Sequence, residues 1–210
     1  MLAQERFGKF TASEIWKLLT SGRSKSDIFG ETAKTYIKEK SVEILTQRKK
    51  ESFSTRATDW GNEWEYKAIQ EYNRSNFVEV EYFGSTNPKF FVCPEFEQYA
   101  GGSPDFILDE SDNRVVGEVK CPYDSVNHLN NLYLSSQSEF KDLHKEYYSQ
   151  IQFNIHCTNS NYAHFVSYDW RFVSEENQLF ILQIEKDKEH IDLILDRLAI
   201  AIDNLKEMTS

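Results

Sequence analysis

Turn formers are scarce in this chain, with 8 Gly and 4 Pro in 210 residues. That scarcity excludes collagen-like, low-complexity and linker-dominated architectures. Cysteine is sparse too. Cys93, Cys121 and Cys157 are odd in number and far apart. Their spacing offers neither a disulfide framework nor a Cys-x-x-Cys metal site, and small buried hydrophobes are expected. No apolar run approaches the roughly 20 residues of a membrane helix, and the opening residues lack a signal-peptide pattern. The expectation is a soluble, cytoplasmic protein with no membrane partner. Basic residues are also the minority: 24 Lys+Arg against 34 Asp+Glu leave a net charge of −10. The distribution is uneven, however. Residues 1–60 hold 12 basic and 8 acidic side chains, a net of +4, whereas residues 61–210 hold 12 and 26, a net of −14. A chain polarised in this way can hold phosphates on one face while the rest repels them.

What is present suits one domain, residues 1–210, with a real core: 40% hydrophobic and 14% aromatic residues. Thr11–Thr20 reads as a short helix that Thr11 or Ser13 can cap, and Glu31–Gln47 as a second with Ala33, Tyr36, Ile37, Val42 and Leu45 at helical intervals. Residues 48–58 are polar and read as a loop; Trp60–Asn73 is a strongly patterned helix. The period then changes to two. Phe77–Phe83, Lys89–Val92, Asp105–Leu108 and Arg114–Lys120 read as strands, followed later by Tyr162–Tyr168 and Leu179–Glu185. Lys141–Cys157 and Ile191–Met208 complete the helices, and Ser125–Phe140 carries no readable period. The order implies an α/β fold, a central mixed β-sheet flanked by helices.

The chemistry concentrates in Gly101-Gly-Ser-Pro-Asp105 and Gly117-Glu-Val-Lys120. Period-two geometry puts Glu118 and Lys120 on one face of a strand, about 6–7 Å apart, with Val115 and Val119 on the other. A hairpin through residues 109–113 would bring Asp105 beside Glu118. Adjacent carboxylates repel unless a cation sits between them, and an all-oxygen donor set suits Mg²⁺ or Mn²⁺ rather than Zn²⁺. Such a metal polarises a phosphodiester and activates water, and Lys120 could orient or deprotonate that water. On the helix at 60–73, Trp60, Trp64, Ala68, Ile69 and Tyr72 fill one arc. Glu65 and Glu71 both fall inside it, and periodicity does not choose between them. In Tyr147-Tyr-Ser-Gln150-Ile-Gln152, the two glutamines are expected to face opposite ways, one to the site and one to solvent.

At these residues the chain resembles the lambda-exonuclease, or YqaJ-type, phage recombination nucleases of the PD-(D/E)xK superfamily. The matching pieces run in order: Arg6-Phe-Gly-Lys-Phe-Thr-Ala-Ser13-Glu, Trp60-Gly-Asn-Glu-Trp-Glu65, Ser103-Pro-Asp105, Glu118-Val-Lys120-Cys-Pro and Tyr148-Ser-Gln150-Ile-Gln152. The resemblance implies a restriction-endonuclease-like core. It implies two metals held by Asp105, Glu118 and the carbonyl of Val119, with Glu65 rather than Glu71 serving the second. Lys120 would position the nucleophilic water, with help from Gln150. Arg6, Ser13 and Ser103 would grip a 5′-terminal phosphate, with residues 1–60 contributing to DNA-end binding. A guanidinium fork and hydroxyls do match a phosphate dianion. Members of the family digest one strand of linear duplex DNA from its 5′ end, form homotrimeric rings and leave 3′ overhangs for a single-strand annealing protein. The alternatives are a PD-(D/E)xK endonuclease, a Cas4-like nuclease, against which three scattered cysteines argue, and a non-catalytic DNA-end-binding subunit.

Overall fold

The computed structural model describes residues 5–22, 24, 27–49, 54–84, 87–110 and 113–210. The chain begins with β1 (Phe10–Thr11), a 3-10 helix (Ala12–Leu19), α1 (Glu31–Thr46) and α2 (Arg56–Asn76). Five strands follow: β2 (Glu81–Tyr82), β3 (Phe91–Val92), β4 (Ala100–Gly102), β5 (Phe106–Glu110) and β6 (Asn113–Lys120). Then come α3 (Ser125–Leu132), α4 (Gln137–Leu143), α5 (Lys145–Thr158), β7 (Tyr162–Tyr168), β8 (Leu179–Glu185) and α6 (Lys188–Thr209).

The main sheet has five strands in the order β2-β5-β6-β7-β8. Only the β6–β7 pair is parallel, so the sheet is mixed. Parallel neighbours cannot be joined by a tight turn, and α3, α4 and α5 make up the crossover between them. A smaller sheet, β1-β4-β3, carries Gly101 and Gly102 just upstream of Ser103.

Two apolar layers hold the main sheet. On one face Phe106, Val115 and Val119 pack with Ala68, Ile69 and Tyr72 of α2. On the other, Ile107, Val116 and Phe165 pack with Ile151 and Ile155 of α5. A third cluster joins Phe10, Ile15 and Leu18 to Tyr36 and Ile37 of α1 and to Ile194, Leu198 and Ile202 of α6. Among the described residues no helix is long and apolar enough to cross a membrane.

Several local expectations shift. Within Phe77–Phe83 the ladder holds Glu81 and Tyr82, and the Phe83 amide adds a 2.8 Å bond to the Asp105 carbonyl, whereas Phe77 ends α2 in the left-handed conformation at φ 55° and is 96% exposed. The expected loop at 48–58 ends early: α2 begins at Arg56, capped by the Thr55 hydroxyl, while residues 50–53 lie outside the described set. Thr11 occupies the N-cap of the 3-10 helix but makes no side-chain cap bond. On α1 the buried stripe runs Ala33, Tyr36, Ile37, Lys40, Ser41, so Val42 and Leu45 face outward. Lys40 is tolerated inside because its ammonium pairs with Glu43 and lies over the Tyr36 ring. Ser125–Phe140, silent in sequence, holds α3 and the start of α4.

Candidate active site

The β5–β6 hairpin sets the site. Its register pairs Phe106 with Gly117, and the amide of Asp105 donates to the carbonyl of Gly117 at 3.0 Å. Asp105 therefore sits beside Glu118, as the hairpin argument expects; residues 111–112 of the turn lie outside the described set. Gly117 is required by packing, since a Cβ there would come within 2.0 Å of the Phe106 ring. Asp105 Oδ2 accepts from the amide of Val119 at 2.6 Å, which locks the carboxylate across the end of β6.

Glu118 is buried at 2% exposure, and its carboxylate accepts from three side chains. Gln150 Nε2 donates to Oε1 at 2.6 Å, Asn154 Nδ2 to Oε2 at 3.4 Å, and the Lys120 ammonium also donates to Oε1. Lys120 lies over the Tyr147 ring, 4.9 Å from its centroid. Burial pulls the Lys120 pKa down, but Glu118 and Asp105 outweigh it, so the ammonium is raised and stays protonated at neutral pH.

Glu65, on α2, faces the same place and accepts from Tyr82 Oη at 2.8 Å. Glu71 instead pairs with Lys67 and Arg74. Burial raises the pKa of Glu65, opposed by the Tyr82 bond and by Lys120. Burial and then the charge of Glu118 push Asp105 well above the usual carboxylate range. Burial likewise pushes the neighbouring Cys121 thiol up to about 12. Two carboxyls held against ionisation beside a third acid mark a place that a cation would relieve. The donors are all oxygens, and Asn154 Oδ1 and Ser103 Oγ are buried without a hydrogen-bond partner among the described groups. These residues fit a hard divalent cation such as Mg²⁺ or Mn²⁺ and offer no soft donor set.

A cavity of about 800 Å³ opens over this cluster, lined by Ser13, Glu65, Val119, Lys120, Tyr147 and Gln150 among others. Glu65 also borders a smaller cavity of about 190 Å³, shared with Arg6, Tyr82, Ser103 and Asp105. Arg6 and Ser103 thus lie together beside two of the acids. Ser13, exposed at the second position of the 3-10 helix, lines the larger cavity instead, with its Oγ 3.3 Å from Thr11 Oγ1. Gln150 turns to Glu118 as one of the pair was expected to, but Gln152 does not face solvent. It is fully buried, donating to the carbonyl of Glu185 and accepting from the amide of Asp187.

Four contributors escaped sequence reasoning. Asn154 is one helical turn beyond Gln150, so the i, i+4 spacing carried a signal. Tyr82 lay inside a segment read as an ordinary half-exposed strand. Asn131 and His144 line the larger cavity, joined by a 2.7 Å hydrogen bond, and come from or adjoin the stretch without a period.

Residues 3–161 match the model of the YqaJ-like viral recombinase domain. Among solved structures, an alkaline exonuclease (LHK-Exo) from Laribacter hongkongensis is 25% identical, with a TM-score of 0.77 over 97% of this chain and 91% of that one. The same relative has been solved in complex with dAMP. A phage-related exonuclease from Haemophilus somnus 129PT shares the fold at 18% identity, with a TM-score of 0.72 over 95% of this chain and 94% of that one. No curated protein matches. The α/β architecture, a mixed sheet flanked by helices, is the one seen in these lambda-exonuclease-like enzymes, and the chain belongs to the YqaJ-like viral recombinase family.

Proposed function

We propose that the chain is a Mg²⁺-dependent exonuclease that digests the 5′-ended strand of linear double-stranded DNA, 5′→3′, and leaves 3′ single-stranded overhangs for phage-type recombination. The observation that carries this reading is the gathering of Glu65, Asp105, Glu118, Lys120 and Gln150 at the end of β6, next to a cavity that holds Arg6 and Ser103. The exonuclease names of the relatives support it.

Asp105, Glu118, the carbonyl of Val119 and Glu65 would hold two Mg²⁺ or Mn²⁺ ions. When bound, such ions polarise the scissile phosphodiester and lower the pKa of an attacking water. Lys120 would orient that water and offset charge on the phosphate. Gln150 and Asn154 keep Glu118 turned toward the site, and the Tyr82 hydroxyl does the same for Glu65. Arg6 and Ser103 supply donors for a terminal phosphate, with Ser13 contributing from the larger cavity. The resemblance further supports a cytoplasmic homotrimeric ring around duplex DNA, with residues 1–60 at the DNA end and a single-strand annealing protein receiving the product.

The test compares 5′-phosphorylated linear, 5′-hydroxyl linear and closed circular duplexes in Mg²⁺. Faster release of nucleotides from the phosphorylated end is expected. Equal cutting of the circle would point to an endonuclease, and no release with any divalent metal to a binding module. Lys120→Ala should abolish turnover while calorimetry still registers Mg²⁺ binding.

A further inference from the structure

Beyond the carboxylate cluster, two of the three cysteines meet at one point on the chain's other sheet. Cys93 follows β3 and opens a turn, Cys93-Pro-Glu-Phe96, closed by a 3.0 Å bond from the amide of Phe96 to the carbonyl of Cys93. Proline at the second position pre-sets that turn. Opposite it, the last turn of α5 presents His156 and Cys157. The ligand atoms of Cys93, Glu95 and His156 all lie within 4.8 Å of one another. Cys93 Sγ is 3.4 Å from Glu95 Oε2, and His156 Nε2 is 2.7 Å from the same oxygen. Cys157 lies beside the Cys93 thiol but is not one of the three residues whose donor atoms gather within 4.8 Å. The His156 ring stacks on Phe153, fixing its plane.

We propose that Cys93, Glu95 and His156 form a second metal site, one for Zn²⁺ or a similar thiophilic divalent ion, that clips the turn after β3 to the end of α5. Zinc bonds of about 2.3 Å to sulfur and 2.0–2.1 Å to nitrogen imply donor separations of roughly 3.3–3.8 Å in a tetrahedron. The Cys93–Glu95 spacing already falls there, and the His156–Glu95 spacing needs to widen by only about half an ångström. A thiol and an imidazole discriminate against Mg²⁺, the reverse of the preference at Glu65, Asp105 and Glu118. Cys93 is buried while half of the Glu95 side chain is exposed, which leaves the ion a way in from solvent. Loading releases the Cys93 thiol proton to solvent and changes no oxidation state.

The experiment uses the full chain carrying Asp105→Asn and Glu118→Gln, so that the carboxylate cluster no longer competes. Purified reduced protein is loaded with Zn²⁺, dialysed and assayed for bound metal, then loaded in parallel with Co²⁺ and examined by absorption. About one ion per chain and a thiolate-to-cobalt charge-transfer band in the near ultraviolet are expected. Cys93→Ser and, separately, His156→Ala should each weaken binding at least tenfold and diminish the band. The unsubstituted cluster decides the matter if those variants misfold: no retained Zn²⁺, or Co²⁺ without a thiolate band, overturns the proposal. An undiminished band in Cys93→Ser would come from a thiol other than Cys93 and would overturn it equally, as would a Cys93–Cys157 disulfide that excludes the ion from protein kept in reductant.

Discussion

Replacing Asp187 with Asn probes how firmly the helix behind the candidate site is anchored. Asp187 precedes α6 and caps it, its Oδ1 accepting from the amide of His190 at 2.9 Å. Its Oδ2 accepts from Tyr148 Oη at 2.7 Å and from Lys141 Nζ at 2.9 Å, so one carboxylate ties α6 to both α5 and α4. Burial pushes this carboxyl up, but the three donors outweigh burial and lower its pKa from 3.8 to about 2. The drop is equivalent to about 2.4 kcal/mol of stability at neutral pH. The side chain is 22% exposed, and solvent screening trims the part that reaches stability to about 2 kcal/mol. The folded value lies below the unfolded one. The contribution is therefore complete above the ordinary value and fades as pH falls toward the folded one, to roughly half at pH 3. Asn can still cap His190, so the substitution removes the charge and leaves the cap. Urea unfolding followed by tryptophan fluorescence should give Asp187→Asn a deficit of about 2 kcal/mol at pH 7 and about 1 kcal/mol at pH 3. A deficit below about 0.5 kcal/mol at pH 7, or one that does not shrink with acid, would refute the reasoning.

Other perturbations test separate steps. Phe77→Gly should stabilise the fold by about 0.5–1 kcal/mol in thermal melts, because an exposed side chain at φ 55° strains the end of α2 and loses little packing; a lower melting temperature would contradict that account. Gly117→Ala should cost about 1–3 kcal/mol and cut nuclease activity, since the new methyl group meets the buried Phe106 ring; full activity would mean that the hairpin tolerates the shift. In chelator, stability should fall as pH rises from the ordinary carboxylate range through the raised value of Asp105, whose ionisation burial and Glu118 oppose. Asp105→Asn should flatten that slope, and an unchanged slope in melts across pH would exonerate the residue. Arg6→Ala should erase the preference for a 5′-phosphorylated end while sparing residual cleavage, and an undiminished preference would remove Arg6 from the pocket.

Much of this architecture was legible because it rests on periodic burial. The limits of α1 and β6 and the pairing of Asp105 with Glu118 follow from alternation and turn chemistry alone. The failures have physical causes. The buried stripe of α1 runs through Lys40, a residue that pattern reading assigns to solvent and that a neighbouring Glu43 allows inside. Gln152 escaped because its partners, the Glu185 carbonyl and the Asp187 amide, come from more than thirty residues away. The thiol cluster was hidden for the same reason: Cys93 and His156 share no local spacing, only a tertiary meeting point.

That meeting point connects to the carboxylates through one element. Helix α5 presents Gln150 and Asn154 to Glu118, Tyr148 and Gln152 to the start of α6, and His156 and Cys157 to the turn after β3. Its apolar side, Ile151 and Ile155, packs on the main sheet. A hydrogen-bond donor aimed at a buried carboxylate is useful only if its helix cannot slide or rotate, since a shift of an ångström unmakes a 2.6 Å bond. Anchors on three sides of α5 meet that requirement. Loosening the helix at Asp187 or at Cys93 should accordingly reduce turnover more than DNA affinity, because neither of those residues lines the cavities where the substrate would lie.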